Sequence, residues 1–247
     1  MMAAMPLSLH DHAVEHLGTQ IVSGAYPSGH VMLAEQLARE LNVSRSVVRE
    51  ATRVLASLGL IETVRRLGIR VLPAAHWNPF DPMVIRWRLA GTGRGAQLRS
   101  LAELRTAVEP AAAELAAQFA PPERRRELFD VALAMKESGQ SGDVDVFLAL
   151  DIRFHSLLLT GSGNEMFATM VGQVAETLTG RTVAGLMPDR PTDAPLQWHI
   201  EMAQAILVGN GHLAREASEK IMRRSLSEMS QAWQGQPRSF RPVPALA

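Results

Sequence analysis

The chain of 247 residues contains no cysteine. That removes thiolate catalysis, disulfide frameworks and cysteine-based zinc or iron–sulfur centres, and it leaves His, Asp and Glu as the metal ligands. It also fits a reducing compartment, so a cytoplasmic location is expected. Aromatic residues are scarce, 5% with a single tyrosine. The abundance of Ala, Leu, Met, Glu and Arg then favours helix over strand wherever the pattern is periodic. No run of about 18 apolar residues occurs, and MMAAMPLSLHDHAVEHL has no basic flank followed by an apolar stretch. Neither a membrane span nor a secretory leader is expected. Net charge is absent too, because 25 Lys and Arg balance 25 Asp and Glu. Taken whole, this argues against a protein held to nucleic acid by a global positive field. What is present is a 47% hydrophobic composition, enough for a sizeable core, in a chain long enough for two domains.

Leu17, Ile21 and Val22 form a first helical stripe, which Gly24, Pro27 and Gly29 end. Leu33, Leu37 and Leu41 form a second. After a break at Asn42 and Val43, Ser44 is placed to cap a helix carrying Val47, Val48, Ala51, Val54 and Leu55. Two short helices joined by so tight a turn read as a helix-turn-helix. Beyond Gly59, β-branched residues on either side of Arg65, Arg66, Leu67 and Gly68 predict a small hairpin, or wing. Pro73 to Pro82 marks a boundary. The predicted division is a winged domain over 1–73, a linker and first bundle segment over 74–97, a helical domain over 98–233 and a disordered tail over 234–247. Helices are expected at 98–119, 122–138, 143–161, 164–186, 195–208 and 212–233. The expected class is mostly α: an N-terminal winged helix-turn-helix and a C-terminal all-helical bundle.

Divided by segment, the charge looks different. Residues 41–71 hold six arginines against Glu50 and Glu62, a local charge of +4. Arg45, Arg49 and Arg53 recur at i, i+4 and i+8 and so share one helix face. The planar guanidinium pairs phosphate oxygens or a guanine edge with two parallel hydrogen bonds. Ser44 and Ser46 at the helix start can add phosphate contacts, and Arg66 and Gly68 in the wing can reach a neighbouring groove. The competing reading is a solvated face in which these arginines pair with Glu50 and Glu62. Position and order favour the first reading: LAEQLARELNVSRSVVREATRVLASLGLIETVRRLGIRV resembles the winged helix-turn-helix of GntR-family bacterial transcription regulators. The resemblance implies that Arg45 and Arg49 lie on the recognition helix, with Ser44 at its start and Gly68 in the wing. Glu35 departs from it, since the family commonly has an Arg there.

In LDIRFHSLL, Asp151 and His155 stand at i and i+4, which puts a carboxylate and an imidazole on one helix face where they can hold a divalent cation. His199, followed by Ile200, Ala203 and Ile206, is a third candidate, although a lone buried histidine is more often structural than a ligand. SLAELRTAVEPAAAELAA, LDIRFHSLLL and WHIEMAQAILVGNGHLAREASEKIMRRSL resemble the FCD-type effector domain of the FadR branch of the GntR family. That resemblance implies an Asp and three His around a metal, zinc or nickel-like, that helps hold a carboxylate effector. Asp151, His155 and His199 match three of those positions, and Ser225 stands where the fourth His is expected. Serine is a poor zinc ligand, which leaves three options: a three-ligand site, a weakly metallated one, or a metal-free one whose effector carboxylate is held by cations. Arg105 in ELRTAVEP is the expected carboxylate clamp, against the simpler reading of an ion pair with Glu109. HWNPFDPMVIRWRL resembles FadR-branch regulators that respond to sugar acids such as galactonate or gluconate. The expectation is a homodimeric, ligand-responsive repressor of a palindromic double-stranded DNA operator. The rival is a metal-dependent hydrolase or lyase built on Asp151, His155 and His199.

Overall fold

The structure is a computed structural model that describes residues 8–188, 191–236 and 238. The chain forms two compact units that divide between Thr92 and Gly93.

The N-terminal unit holds α1 (Leu9–Ser23), β1 (Val31–Met32), α2 (Ala34–Glu40), α3 (Arg45–Ser57), β2 (Ile61–Val64), β3 (Gly68–Val71) and α4 (Pro82–Ala90). The three strands form an antiparallel sheet in the order β1-β3-β2. The two turns that bracket α3 are built alike. At the end of α2, Asn42 takes a left-handed φ of 52° while its N–H donates to Arg39 O and the Val43 N–H to Ala38 O. At the end of α3, Gly59 takes φ 74°, its N–H donates to Ala56 O, and the Leu60 N–H reaches Leu55 O. Both are Schellman closures, which satisfy the last helical carbonyls and turn the chain sharply. Ser44 caps α3 by accepting from the Val47 N–H at 3.3 Å. Val48, Ala51 and Leu55 of α3 then pack with Val14, Leu17 and Ile21 of α1 and with Ile61, Ile69 and Val71 of the sheet.

The segment 74–97 departs from expectation. It holds a 3-10 turn (Ala74–His76), then α4, and α5 already begins at Arg94. Asp81 caps α4 by accepting from the Met83 N–H at 2.8 Å, and Pro82 occupies its first turn. Rather than opening the bundle, α4 joins the N-terminal core through Val84 and Trp87. Its indole N–H donates to Glu15 Oε2 at 2.6 Å, and its ring lies over Gly18, where an added Cβ would meet ring carbons at 2.4 Å.

The C-terminal unit comprises α5 (Arg94–Phe119), α6 (Pro122–Ser141), α7 (Val144–Gly161), α8 (Glu165–Ala168), α9 (Val171–Val183), α10 (Asp193–Leu207) and α11 (Gly211–Met229). Ala112, Ala113, Ala116 and Ala117 give α5 a small-residue face, and this helix packs on α11, α7, α10 and α9. Two expected helices are shorter than the periodicity implied. The stretch 164–186 divides into α8 and α9, because Asn164 caps a single turn that closes through Met170 N–H to Phe167 O. The stretch 212–233 leaves the α-helix after Met229 for a 3-10 turn, Ser230–Trp233. Of the predicted disordered tail, residues 237 and 239–247 lie outside the described residues. Arg238 is described and pairs with Glu103 at 2.8 Å.

Gly18→Ala drives a methyl into the Trp87 ring. The expected outcome is a loss of about 1–3 kcal/mol from the N-terminal unit, read as a lower urea midpoint; an unchanged midpoint would show that α4 does not pack there.

Candidate functional site

In the winged unit, Arg45, Arg49 and Arg53 all stand in solvent along α3, opposite its buried face. They are not free of carboxylates. Arg53 Nη1 donates to both Glu50 oxygens at 3.0 Å, Arg49 Nε lies 3.5 Å from Glu50, and Arg70 Nη2 donates to Glu62 at 2.6 Å. The solvated-face reading is therefore partly realised, but exposed pairs of this kind contribute little and exchange readily for a phosphate. Glu35 on α2 holds Arg45 Nη2 at 2.9 Å. Ser46 Oγ lies 2.7 Å from Ser44 Oγ, so both hydroxyls are engaged at the helix start. Arg66 sits at the wing turn with φ 64°. Gly68 lies at the first position of β3, where φ is 120° and a Cβ would meet Met32 O at 2.6 Å. Its glycine is required for the close approach of β3 to β1 rather than for reach into a groove.

The bundle gathers the other candidates. Asp151 and His155 project from one face of α7, His199 from α10, and their ligand atoms lie within 4.8 Å of one another, all buried. His155 Nε2 faces Asp151 Oδ1 at 3.2 Å, and His199 Nε2 faces the same oxygen at 3.9 Å. The opposite nitrogens are held by oxygens. His199 Nδ1 lies 2.7 Å from Pro195 O, a carbonyl that can only accept, so Nδ1 carries the proton. His155 Nδ1 lies 2.6 Å from Glu109 Oε2, short but off the ideal hydrogen-bond angle. His199 Nε2 is left without a hydrogen-bond partner among the described residues. A buried lone pair beside a carboxylate and a second imidazole, with the His199 Nδ1 anchored on Pro195 O and the His155 Nδ1 facing Glu109, is a donor set and supporting shell that a divalent cation uses.

Glu109, named in the sequence only as the partner of Arg105, and Arg181, which the sequence did not single out, complete the network. Glu109 accepts from Arg105 Nε and also faces His155. Arg105 is thus buried against Glu109, the ion pair that was the simpler expectation, while still lining the adjoining cavity. Arg181 of α9 donates from Nη1 to Ser225 Oγ at 3.0 Å, and its Nη2 lies 3.6 Å from Asp151 Oδ2. The i, i+4 spacing of Arg105 and Glu109 made their pairing legible, but nothing around Arg181 in LTGRTV marked it. Ser225, at the expected fourth-ligand position, is a hydrogen-bond acceptor for Arg181 instead.

Charge balance follows from this geometry. Burial works against ionising Glu109, yet Arg105 and His155 hold it down at about 2. Burial likewise opposes the Asp151 carboxylate, and His155, Arg181 and His199 overcome it, so its pKa falls far below the usual range. His155 is pulled down by burial but raised on balance by Glu109 and Asp151. His199 is brought down to about 4, chiefly by burial, and is neutral at pH 7. The cluster opens on a cavity of about 50 Å³ whose lining also includes Met187, Thr192 and Ile221.

Comparison with known proteins covers both units. Residues 9–71 match the family of bacterial regulatory proteins named gntR, and residues 100–224 match the FCD domain. The chain is 31% identical over 219 residues to the galactonate operon transcriptional repressor of Escherichia coli K12, covering 87% of this chain and 93% of that protein. It is 28% identical over 201 residues to the "Probable D-xylose utilization operon transcriptional repressor" of Paenarthrobacter nicotinovorans, covering 80% and 78%. In fold it is similar to the solved structure of Lar, which controls expression of the Listeria monocytogenes agr system, with a TM-score of 0.59 at 17% identity over 92% of this chain and 99% of that one. No helix among the described residues is long and apolar enough to cross a membrane. The metal-dependent hydrolase or lyase is set aside, because the matching families and relatives are regulators. The chain belongs to the gntR family of bacterial regulatory proteins and is a DNA-binding transcription regulator with an FCD domain, not an enzyme.

Proposed function

We propose that the protein is a cytoplasmic, homodimeric repressor that binds a palindromic operator and responds to a small carboxylate, a sugar acid of the galactonate or gluconate type. The observation that carries the sensor half is the buried cluster of Arg105, Asp151, His155 and His199 on a cavity inside the FCD domain. Likeness to repressors of galactonate and D-xylose operons supports the choice of sugar-derived ligands. In this reading Asp151, His155 and His199 hold a divalent metal that supplies a positive charge for the effector carboxylate, and Arg105 adds a guanidinium beside it. The cavity as it stands has room for about three or four waters, so a six-carbon acid has to move its walls. Only an effector that binds the DNA-competent and DNA-incompetent states unequally can regulate, and wall movement is a source of that inequality.

Two recognition helices, one from each protomer, would read half-sites in successive major grooves, since dimer and operator symmetry mirror one another. Ser44 and Ser46 would approach phosphate at the start of α3, Arg45 and Arg49 the groove, and Arg66 of the wing the flanking backbone. Gly68 serves the wing by letting it fold. Glu35 has a restraining part: its carboxylate neutralises Arg45 and sits where phosphates approach, so it trades affinity for placement of that guanidinium.

Arg49→Ala is expected to weaken binding to a duplex selected by the wild-type protein from a random library, and to lower the slope of log affinity against log salt by about one. Unchanged affinity and slope would remove α3 from the interface. Glu35→Gln should act the other way, tightening binding most for unselected DNA; weaker binding would mean that Glu35 makes a required contact. For the sensor, galactonate or gluconate should raise the melting temperature, as any ligand specific to the folded state does. Arg105→Lys, which keeps a charge for Glu109 but loses the fork, should fold and lose that rise. A panel of sugar acids with no effect on melting would refute the effector class.

A further inference from the structure

The Asp151 carboxylate is shared between two kinds of partner. Its Oδ1 faces the two Nε2 atoms, at 3.2 Å from His155 and 3.9 Å from His199. Ligand atoms around a tetrahedral ion with bonds of about 2.0–2.1 Å stand roughly 3.3 Å apart; the His155 side is near that spacing, and the three donors, all within 4.8 Å of one another, would have to draw together around an ion. The other oxygen, Oδ2, faces Arg181 Nη2 at 3.6 Å. That guanidinium is buried and is tethered by Nη1 to Ser225 Oγ at 3.0 Å, while Nη2 also lies 2.8 Å from Met187 Sδ. Its Nε has no hydrogen-bond partner among the described residues. A histidine at position 225 would bring a neutral lone pair to this corner; the serine brings a small acceptor that holds a cation there instead.

We propose that Arg181, tethered by Ser225, is a resident cation that competes with a divalent metal for Asp151 and keeps the site weakly metallated. The proposal rests on the reading of Asp151, His155 and His199 as metal ligands. A neutral donor on Oδ2 would orient the carboxylate and strengthen a metal site. A guanidinium differs, because it carries a full charge of the same sign as the ion in a buried, weakly screened position, and it withdraws electron density from the very carboxylate the ion needs. Repulsion therefore outweighs orientation. Metal would then be exchanged rather than held for the life of the fold, and its occupancy would follow the free concentration of the ion.

The test uses the full-length protein stripped with a chelator, with Zn²⁺ affinity read by competition against a chromogenic chelator and folding read by thermal melting. Arg181→Met is expected to bind Zn²⁺ at least about tenfold more tightly than wild type. Ser225→Ala, which removes only the tether, should bind a few-fold more tightly and folds even if Arg181→Met does not. Asp151→Asn should abolish binding in both backgrounds. If neither Arg181→Met nor Ser225→Ala exceeds wild type while Asp151→Asn still abolishes binding, Arg181 is not a competitor and the metal reading stands. If wild type and both variants bind no Zn²⁺, the competition proposal and the metal reading fail together.

Discussion

The buried row of charges Arg105, Glu109, His155, Asp151 and Arg181 is the constraint around which the C-terminal unit is organised. Each group is too costly to bury alone, since an uncompensated charge in a helix bundle carries a desolvation penalty of several kcal/mol. Arranged in alternation, every ionised group has a basic or acidic neighbour: Glu109 between the Arg105 guanidinium and the His155 imidazole, and Asp151 between that imidazole and Arg181. The row draws on α5, α7 and α9, so those helices cannot slide past one another without stranding a charge. Apolar packing around Ala112, Ala116, Phe154 and Leu158 determines that a bundle forms. The charge row constrains which register of that bundle is allowed, and leaves His199 Nε2 without a hydrogen-bond partner among the described residues.

The winged unit solves a different problem, which is to hold a polar helix face outward while burying the rest of the helix. Two Schellman closures at Asn42 and Gly59 and the Ser44 cap fix where α3 starts and stops. Its arginines then need no buried partner, and their pairings with Glu35 and Glu50 are exposed and exchangeable. Neutrality of the whole chain is compatible with this, because a reading surface depends on local charge within a Debye length rather than on the total. Trp87 over Gly18, with its indole N–H on Glu15, ties α4 to the same unit.

Much of this was legible in the order of residue types. Apolar spacing gave α3 and the bundle helices, Gly and Asn marked the turns, and the i, i+4 pairs Asp151/His155 and Arg105/Glu109 followed from helical geometry alone. The helix breaks at Thr169 and Met229 were not legible, since a single capped turn at Asn164 or a drift into 3-10 geometry leaves the hydrophobic period almost unchanged. Strand β1 was missed for a related reason. Two residues, Val31 and Met32, carry no period, and they become a strand only because Gly68 lets β3 come close enough to pair. The affiliation of α4 likewise hinged on which neighbour Trp87 found.

By itself the sequence determined the class of the protein, its two-part organisation, the exposed arginine face of α3, and the buried polar residues Arg105, Asp151, His155 and His199, because each is carried by local spacing along a helix. Tertiary structure alone decided their pairing across helices. Glu109 is 46 residues from His155 in the chain, Arg181 is 30 from Asp151, and Ser225 is 44 from Arg181. Contacts at such separations leave no periodic trace, and whether a buried arginine meets a ligand, a serine or a carboxylate is settled only when the helices close around it.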